Sequence, residues 1–359
     1  ILNNKNNKNI YYIVMDGAIS LNVYNDRIKK INLTKIISDF KKDNFIYIHD
    51  VNSSYTNTAT TLAQIINLSY FKDKNNLQNW TRKEKFGEIF RYFNESPLGK
   101  ALDDINYDFF WLGNSVIHCG SYNVSLCFST ERGLKGFLRT LSLNNKTNVI
   151  RTNYVLTNFL QKTPFLDFTN KYFFLGKSGR ELALFENDAV KNYVKISRSL
   201  PKNEKNHFIF IHAFMPTVYF LPLYNPLAFN EDCTMRIYPK NEIKDFHRKS
   251  ITDPSWRTYE LKRSLYEKNY LCMLKRVKEF IKFVNISDPD AMVVFQADHG
   301  SQNAPELTDN YGNRLDKIFT LIKISNECED HLLNKIDNIN AIRLLLSCAT
   351  DTKFKFLEE

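Results

Sequence analysis

The chain has 359 residues, 43% of them hydrophobic, and a formal charge of +10. That is enough apolar material for a large buried core, yet no stretch approaches the roughly eighteen consecutive apolar residues of a membrane span. Only 11 glycines and 10 prolines argue against long disordered linkers, and six cysteines without a Cys-x-x-Cys pair argue against a zinc finger.

The positive charge fits an anionic partner such as a phospholipid headgroup, a phosphorylated glycan or nucleic acid. The lysines and asparagines are scattered, with no basic helix and no aromatic-basic motif, so nucleic acid is not expected. Cys119 and Cys127 flank a short polar loop. They read either as a disulfide closing that loop in an oxidising compartment or as free thiols in an ordinary core. No cleavable signal peptide is visible. The chain starts at Ile1, and the expectation is that a segment carrying a signal, an anchor or membrane helices precedes it.

In chain order, Ile10 to Met15 reads as a first strand. Ile28 to Phe40 has helical spacing of its apolar residues, and Phe45 to Ile48 reads as a second strand. Ala59 to Tyr70 looks helical and follows a loop rich in Ser, Thr and Asn. Tyr107 to Leu112 and His207 to Phe214 are further strands. Asp253-Pro254 suits a helix start, with Asp as cap and Pro in the first turn, and the helix is expected to run to about Phe283. Ser287 to Asp290 is a turn leading into the apolar run Ala291 to Ala297. Ile318 to Ile324 is a last strand and Ile339 to Leu346 a terminal helix. Alternating helices and buried strands predict a single α/β domain over residues 1–359, a three-layer sandwich around a mainly parallel sheet.

Two strands end in chemistry. The first closes in Asp16-Gly17 and the later apolar run in Asp298-His299-Gly300. Open α/β sheets place active sites at strand C-terminal ends. The loop Asn52 to Thr61 puts hydroxyls, Thr58 among them, at a helix N-terminus, where unpaired N–H groups and the dipole favour an anionic group. The alternative is that these hydroxyls simply cap the helix. A threonine hydroxyl is a poor nucleophile at neutral pH, and a coordinated divalent cation would lower its pKa.

Asp-Gly after the first strand, a threonine at a helix start and a distant Asp-His-Gly, in this order, resemble the alkaline phosphatase superfamily. The likeness is narrower to the sulfatase-like branch with the phosphoethanolamine transferases and the phosphoglycerol transferases of lipoteichoic acid synthesis. The stretches that carry it are Ile10 to Gly17, Asn57 to Thr60, Val294 to Gly300 and Ile339 to Leu346, spanning nearly the whole chain.

The resemblance implies one divalent cation, zinc or manganese, held by Asp16, Asp298 and His299 together with Thr58. It implies Thr58 as the nucleophile that takes up a phospho-headgroup and passes it on. The donor would be an anionic phospholipid, the acceptor an envelope glycan or lipid, and the location the extracytoplasmic face of the membrane. No Cys/Ser-x-Pro-x-Arg motif occurs, which argues against a true sulfatase. Relatives place a histidine shortly after the middle strand, where this chain has Thr217. His212 on that strand, or else His118, is the candidate for protonating the leaving group. Two other functions stay open: a hydrolase of the same fold, and a degenerate, non-catalytic glycan-binding domain.

Overall fold

The computed structural model describes residues 8–55, 57–70, 96–113, 124–131, 148–153, 205–214, 230–234, 259–300, 317–329, 336–350 and 356–357. The fold is a mixed, mostly parallel sheet flanked by helices. Its strands are β1 (Ile10–Met15), β2 (Ile46–Tyr47), β3 (Tyr107–Gly113), β4 (Val124–Glu131), β5 (Asn148–Asn153), β6 (Asn206–Phe214), β7 (Met292–Gln296) and β8 (Thr320–Lys323). The helices are α1 (Leu33–Lys42), α2 (Thr58–Asn67), α3 (Pro97–Asp104), α4 (Tyr259–Ser287), α5 (Asn326–Glu329) and α6 (Asn338–Thr350). No helix among the described residues is long and apolar enough to cross a membrane.

The chain divides into two compact units. One comprises residues 1–11, 63–213 and 349–351, the other residues 12–62, 214–348 and 352–359. In the first unit the strand order is β6-β3-β4-β5, parallel throughout. Trp111 stacks on Phe210 with centroids 4.3 Å apart, and Phe109 meets Phe208 edge-on at 5.5 Å. Helix α3 leads into β3. Ser96 caps it through Gly99 N–H at 3.3 Å and Pro97 fills the first turn, where its missing N–H costs nothing.

The second unit has the order β2-β8-β7-β1, β1 belonging to it from Tyr12 onward. Here β8 runs antiparallel to both β2 and β7. Every residue of β1, β7 and β8 is buried, which explains why β1 and the first four residues of β7 read as apolar runs rather than alternating ones. Phe295 of β7 is fully buried between Phe45 at 6.1 Å and Phe280 of α4 at 5.7 Å. Two disulfides lie in this unit. Cys233–Cys272 fastens the segment 230–234 to α4, and Cys328–Cys348 joins α5 to α6. Cys119, His118 and the Asp253-Pro254 helix start lie outside the described residues, whereas Cys127 and the end of the expected loop fall in β4.

Most expected elements form, with shifted ends. The helix expected from Ile28 starts at Leu33 instead. Asn32 accepts the Lys35 N–H at 3.0 Å and so caps a new helix, while Tyr24–Ile28 forms a separate turn that closes before Lys29. The helix expected to reach Tyr70 stops at Asn67, where Leu68 takes a φ of 54°. The strands β4 and β5 and the helix α3 were not expected from the sequence.

Phe295 tests the packing of the second unit. Its replacement by Ala should cost about 3–5 kcal/mol of stability in urea unfolding. A loss below about 1 kcal/mol would show that its neighbours close around the gap and that the aromatic cluster is loose.

Candidate metal centre

The centre is built by three chain segments of the second unit. Asp16 follows β1 and Asp298-His299 follows β7, its neighbour in the sheet. Gly17 has a φ of 68°, a region glycine enters freely. The chain therefore turns at once, and the Gly17 N–H donates to Asp298 Oδ1 at 3.1 Å. One peptide thus links the turn that carries Asp16 to the carboxylate of Asp298. The His299 N–H donates to the same Oδ1 at 3.0 Å.

Ligand atoms of Asp16, Asp298 and His299 all lie within 4.8 Å of one another, and all three residues are buried. His299 Nε2 is 3.3 Å from Asp16 Oδ1 and 3.4 Å from Asp298 Oδ2. On its other side Nδ1 lies 2.7 Å from the Gly300 carbonyl. A carbonyl only accepts, so Nδ1 carries a proton, and Nε2 is the ring nitrogen that faces the two carboxylates and is left to bind a cation. Oδ2 of Asp16 and Oδ2 of Asp298 are buried without a hydrogen-bond partner. Two carboxylate oxygens left bare in the interior, beside an imidazole nitrogen, are the donor set a divalent cation satisfies.

The electrostatics agree. Burial, and then the Asp298 charge, push the Asp16 carboxyl up to about 7, with His299 pulling in the opposite direction. Without a cation the site holds a proton on Asp16 instead of a second negative charge. Oxygen and imidazole donors together suit zinc or manganese.

Thr58 completes the group. Its Oγ1 is 3.0 Å from His299 Nε2, and the side chain is only half-buried. The alternative, that Thr58 merely caps α2, does not hold. Asn57 is the cap: its Oδ1 accepts from Thr60 N–H at 2.9 Å and Thr60 Oγ1 at 2.8 Å. Its carbonyl accepts from Thr61 N–H at 3.1 Å. Thr58 is therefore the first residue of the helix, and its hydroxyl is left free to face the centre. His212 is a buried residue of β6 in the first unit and is not among the residues of this group. His331, the one histidine after His299 in the sequence, and Thr217 lie outside the described residues. Among the described residues a single cluster of this kind occurs.

Several supporting residues carry no sequence signal. Ser53 Oγ lies 2.7 Å from the Asp298 carbonyl and ties the loop before Thr58 to that peptide. Asn338 Nδ2 donates to the Ala297 carbonyl at 2.7 Å. Tyr12 donates to Gln296 Oε1 at 2.9 Å, and Gln296 Nε2 donates to the Ile336 carbonyl at 3.0 Å. These bonds fix the end of β7 from inside the core. Only the Asn57 cap, a polar residue just before a threonine-rich helix start, follows a rule that could have located it.

No family model matches the sequence, and no curated protein matches it. Among solved structures the chain is similar to the C-terminal periplasmic domain of EptC from Escherichia coli in complex with zinc. The identity is 15% and the TM-score 0.53, covering 98% of this chain and 84% of that one. The fold is alkaline-phosphatase-like. The lipoteichoic acid synthase LtaP from Listeria monocytogenes is also similar, at 11% identity and a TM-score of 0.50, over 97% of this chain and 72% of that one. The chain spans 55% of the length of an integral membrane protein, the lipooligosaccharide phosphoethanolamine transferase A (EptA) from Neisseria meningitidis. That match covers 96% of this chain at 12% identity and a TM-score of 0.48. Identities this low establish a shared fold, and the chemistry rests on the centre itself.

The Asp16 carboxyl gives a pH prediction with a definite sign. A ligand carboxylate must lose its proton to bind, so zinc affinity should fall about tenfold per unit as pH drops below about 7. In the metal-free chain the folded state keeps a proton that the unfolded state has released between 3.8 and about 7. Folding stability from this group therefore falls as pH rises through that window. The zinc-induced rise in Tm should accordingly be small at pH 5.5 and large at pH 8. An equal rise at both would contradict the role given to Asp16.

Proposed function

We propose that this chain is the catalytic domain of a metal-dependent enzyme that moves a phospho-headgroup through a covalent Thr58 intermediate. The observation that carries the proposal is the Thr58 hydroxyl, at the first position of α2, 3.0 Å from His299 Nε2 beside two buried carboxylates. Asp16, Asp298 and His299 would hold one divalent cation, with Thr58 facing it. When bound, the cation lowers the pKa of the neighbouring hydroxyl and offsets charge on the attacked group. The group to be attacked meets the open N–H groups at the start of α2, which favour an anion.

In the first step a bond forms from Thr58 Oγ1 to phosphorus as the bond to the donor alcohol breaks, and that alcohol leaves with a proton. In the second, an acceptor hydroxyl attacks the phosphothreonine, the bond to Thr58 Oγ1 breaks, the acceptor's proton returns to Thr58 Oγ1, and the acceptor carries the headgroup away.

The substrate reading is an anionic phospholipid-type donor with a phosphoethanolamine or phosphoglycerol headgroup and an envelope glycan or lipid acceptor. It draws support from the excess of basic residues and from the fold shared with the EptC periplasmic domain and LtaP. An extracytoplasmic location at the membrane is supported by the two disulfides, which persist in oxidising compartments. The second reading is a hydrolase that passes the same group to water. Both share the first step, and the half-buried Thr58 is accessible to either acceptor.

Replacing Thr58 by Ala should reduce turnover of a phospholipid-headgroup donor by more than about a thousandfold while zinc binding and Tm change little. Full activity in that variant would remove Thr58 from the mechanism. Donor turnover with and without a glycan or lipid acceptor separates the two readings. Release into water at an undiminished rate without acceptor would establish the hydrolase.

A further inference from the structure

The residues after Asp16 run through the core as a buried loop. Ala18, Ile19, Ser20 and Leu21 are all 0% exposed, so their backbone groups need partners inside the protein. Three phenols supply several of them. Tyr47 accepts the Leu21 N–H at 2.8 Å, and Tyr270 of α4 donates to the Ile19 carbonyl at 2.8 Å. Tyr266, one turn earlier on α4, makes two bonds at once. Its hydroxyl accepts the Ile19 N–H at 3.1 Å and donates to the Gly17 carbonyl at 3.0 Å.

Gly17 is the residue on which the centre turns, its N–H lying in the peptide after Asp16 and its carbonyl in the next one. It follows Asp16 directly, and its N–H holds Asp298 Oδ1. Tyr266 is fixed in turn: it is 2% exposed and lies 5.9 Å from Tyr270, which stacks on Tyr24 at 4.1 Å. Because its one proton is given to the Gly17 carbonyl, its lone pairs remain for Ile19, and the two bonds define a single orientation of the phenol.

We infer that Tyr266 is a positioning residue for the metal centre, setting through Gly17 the spacing between Asp16 and Asp298. Burial pushes its phenol far above the ordinary tyrosine range, so it stays protonated and keeps donating at any working pH. Tyr270 does not share the role. It has the same chemistry and burial and bonds the same loop, but it holds the Ile19 carbonyl rather than that of Gly17.

This inference rests on the metal-centre reading, and one experiment separates the two. Zinc affinity is measured by competition with a chromophoric chelator for the wild type, Tyr266→Phe and Tyr270→Phe. The Tm of each metal-free protein is measured alongside. Each variant deletes one buried hydroxyl, and both should lower Tm to a similar extent. Zinc should bind about 10- to 100-fold more weakly to Tyr266→Phe, the size of effect seen when a ligand loses its outer support, and within about twofold of wild type to Tyr270→Phe. Unchanged affinity in Tyr266→Phe overturns the inference while leaving the centre intact. Equal weakening in both variants also overturns it, since loosening of the loop would then suffice. A wild type that binds neither zinc nor manganese refutes the metal-centre reading itself.

Discussion

Two carboxylates share the buried ends of neighbouring strands, and the second unit is organised around holding them together. Asp16 and Asp298 are 3% and 0% exposed, each with an oxygen that no protein donor reaches. Burying like charges in contact is unfavourable unless a proton or a cation intervenes. The raised Asp16 carboxyl expresses that conflict. The Gly17 N–H, the His299 N–H and the fixed imidazole then decide where a cation would sit, and Thr58 stands beside that place with its hydroxyl uncommitted to capping.

The sheet explains why this arrangement is stable without being comfortable. Strands β1 and β7 are buried along their whole length, so the apolar core places their ends and the polar groups must accept the positions that result. Tyrosines, Ser53 and Asn338 reach in from the flanking helices and loops to satisfy the exposed backbone around the centre. A short-range network of this kind fixes Asp16, Asp298 and His299 without any cation, which is the preorganisation the proposed reaction would need.

The sequence displayed the centre more clearly than the scaffold around it. Unbroken apolar runs ending in Asp16-Gly17 and Asp298-His299-Gly300 are visible because a doubly buried strand leaves no polar alternation. Thr58 was legible through its place at the helix start. Helix α1 was misplaced because Ile28 and Ile31 continue its apolar spacing, and only the Asn32 side chain shows where the helix begins. Strand β4 alternates Val124, Leu126 and Phe128 with Ser125, Cys127 and Ser129, a readable pattern, but Cys119 and Cys127 suggest a closed loop across its start. Strand β5, Asn148 to Asn153, has no apolar pattern and is a strand because it pairs with β4. The pairing of Cys233 with Cys272 and of Cys328 with Cys348 follows from chain paths that spacing alone does not encode. Tyr266 and Ser53 were invisible because one buried hydroxyl meeting one distant peptide leaves no periodic trace.

The central claim is that Asp16, Asp298 and His299 hold a divalent cation. Elemental analysis of the purified wild type beside Asp298→Asn tests it most directly. The substitution keeps an acceptor for the Gly17 and His299 N–H groups and removes only the charge, so the fold is preserved. The account predicts about one zinc or manganese per wild-type chain and little or none in the variant. No metal in the wild type after incubation with zinc and manganese, or equal content in both proteins, would contradict it.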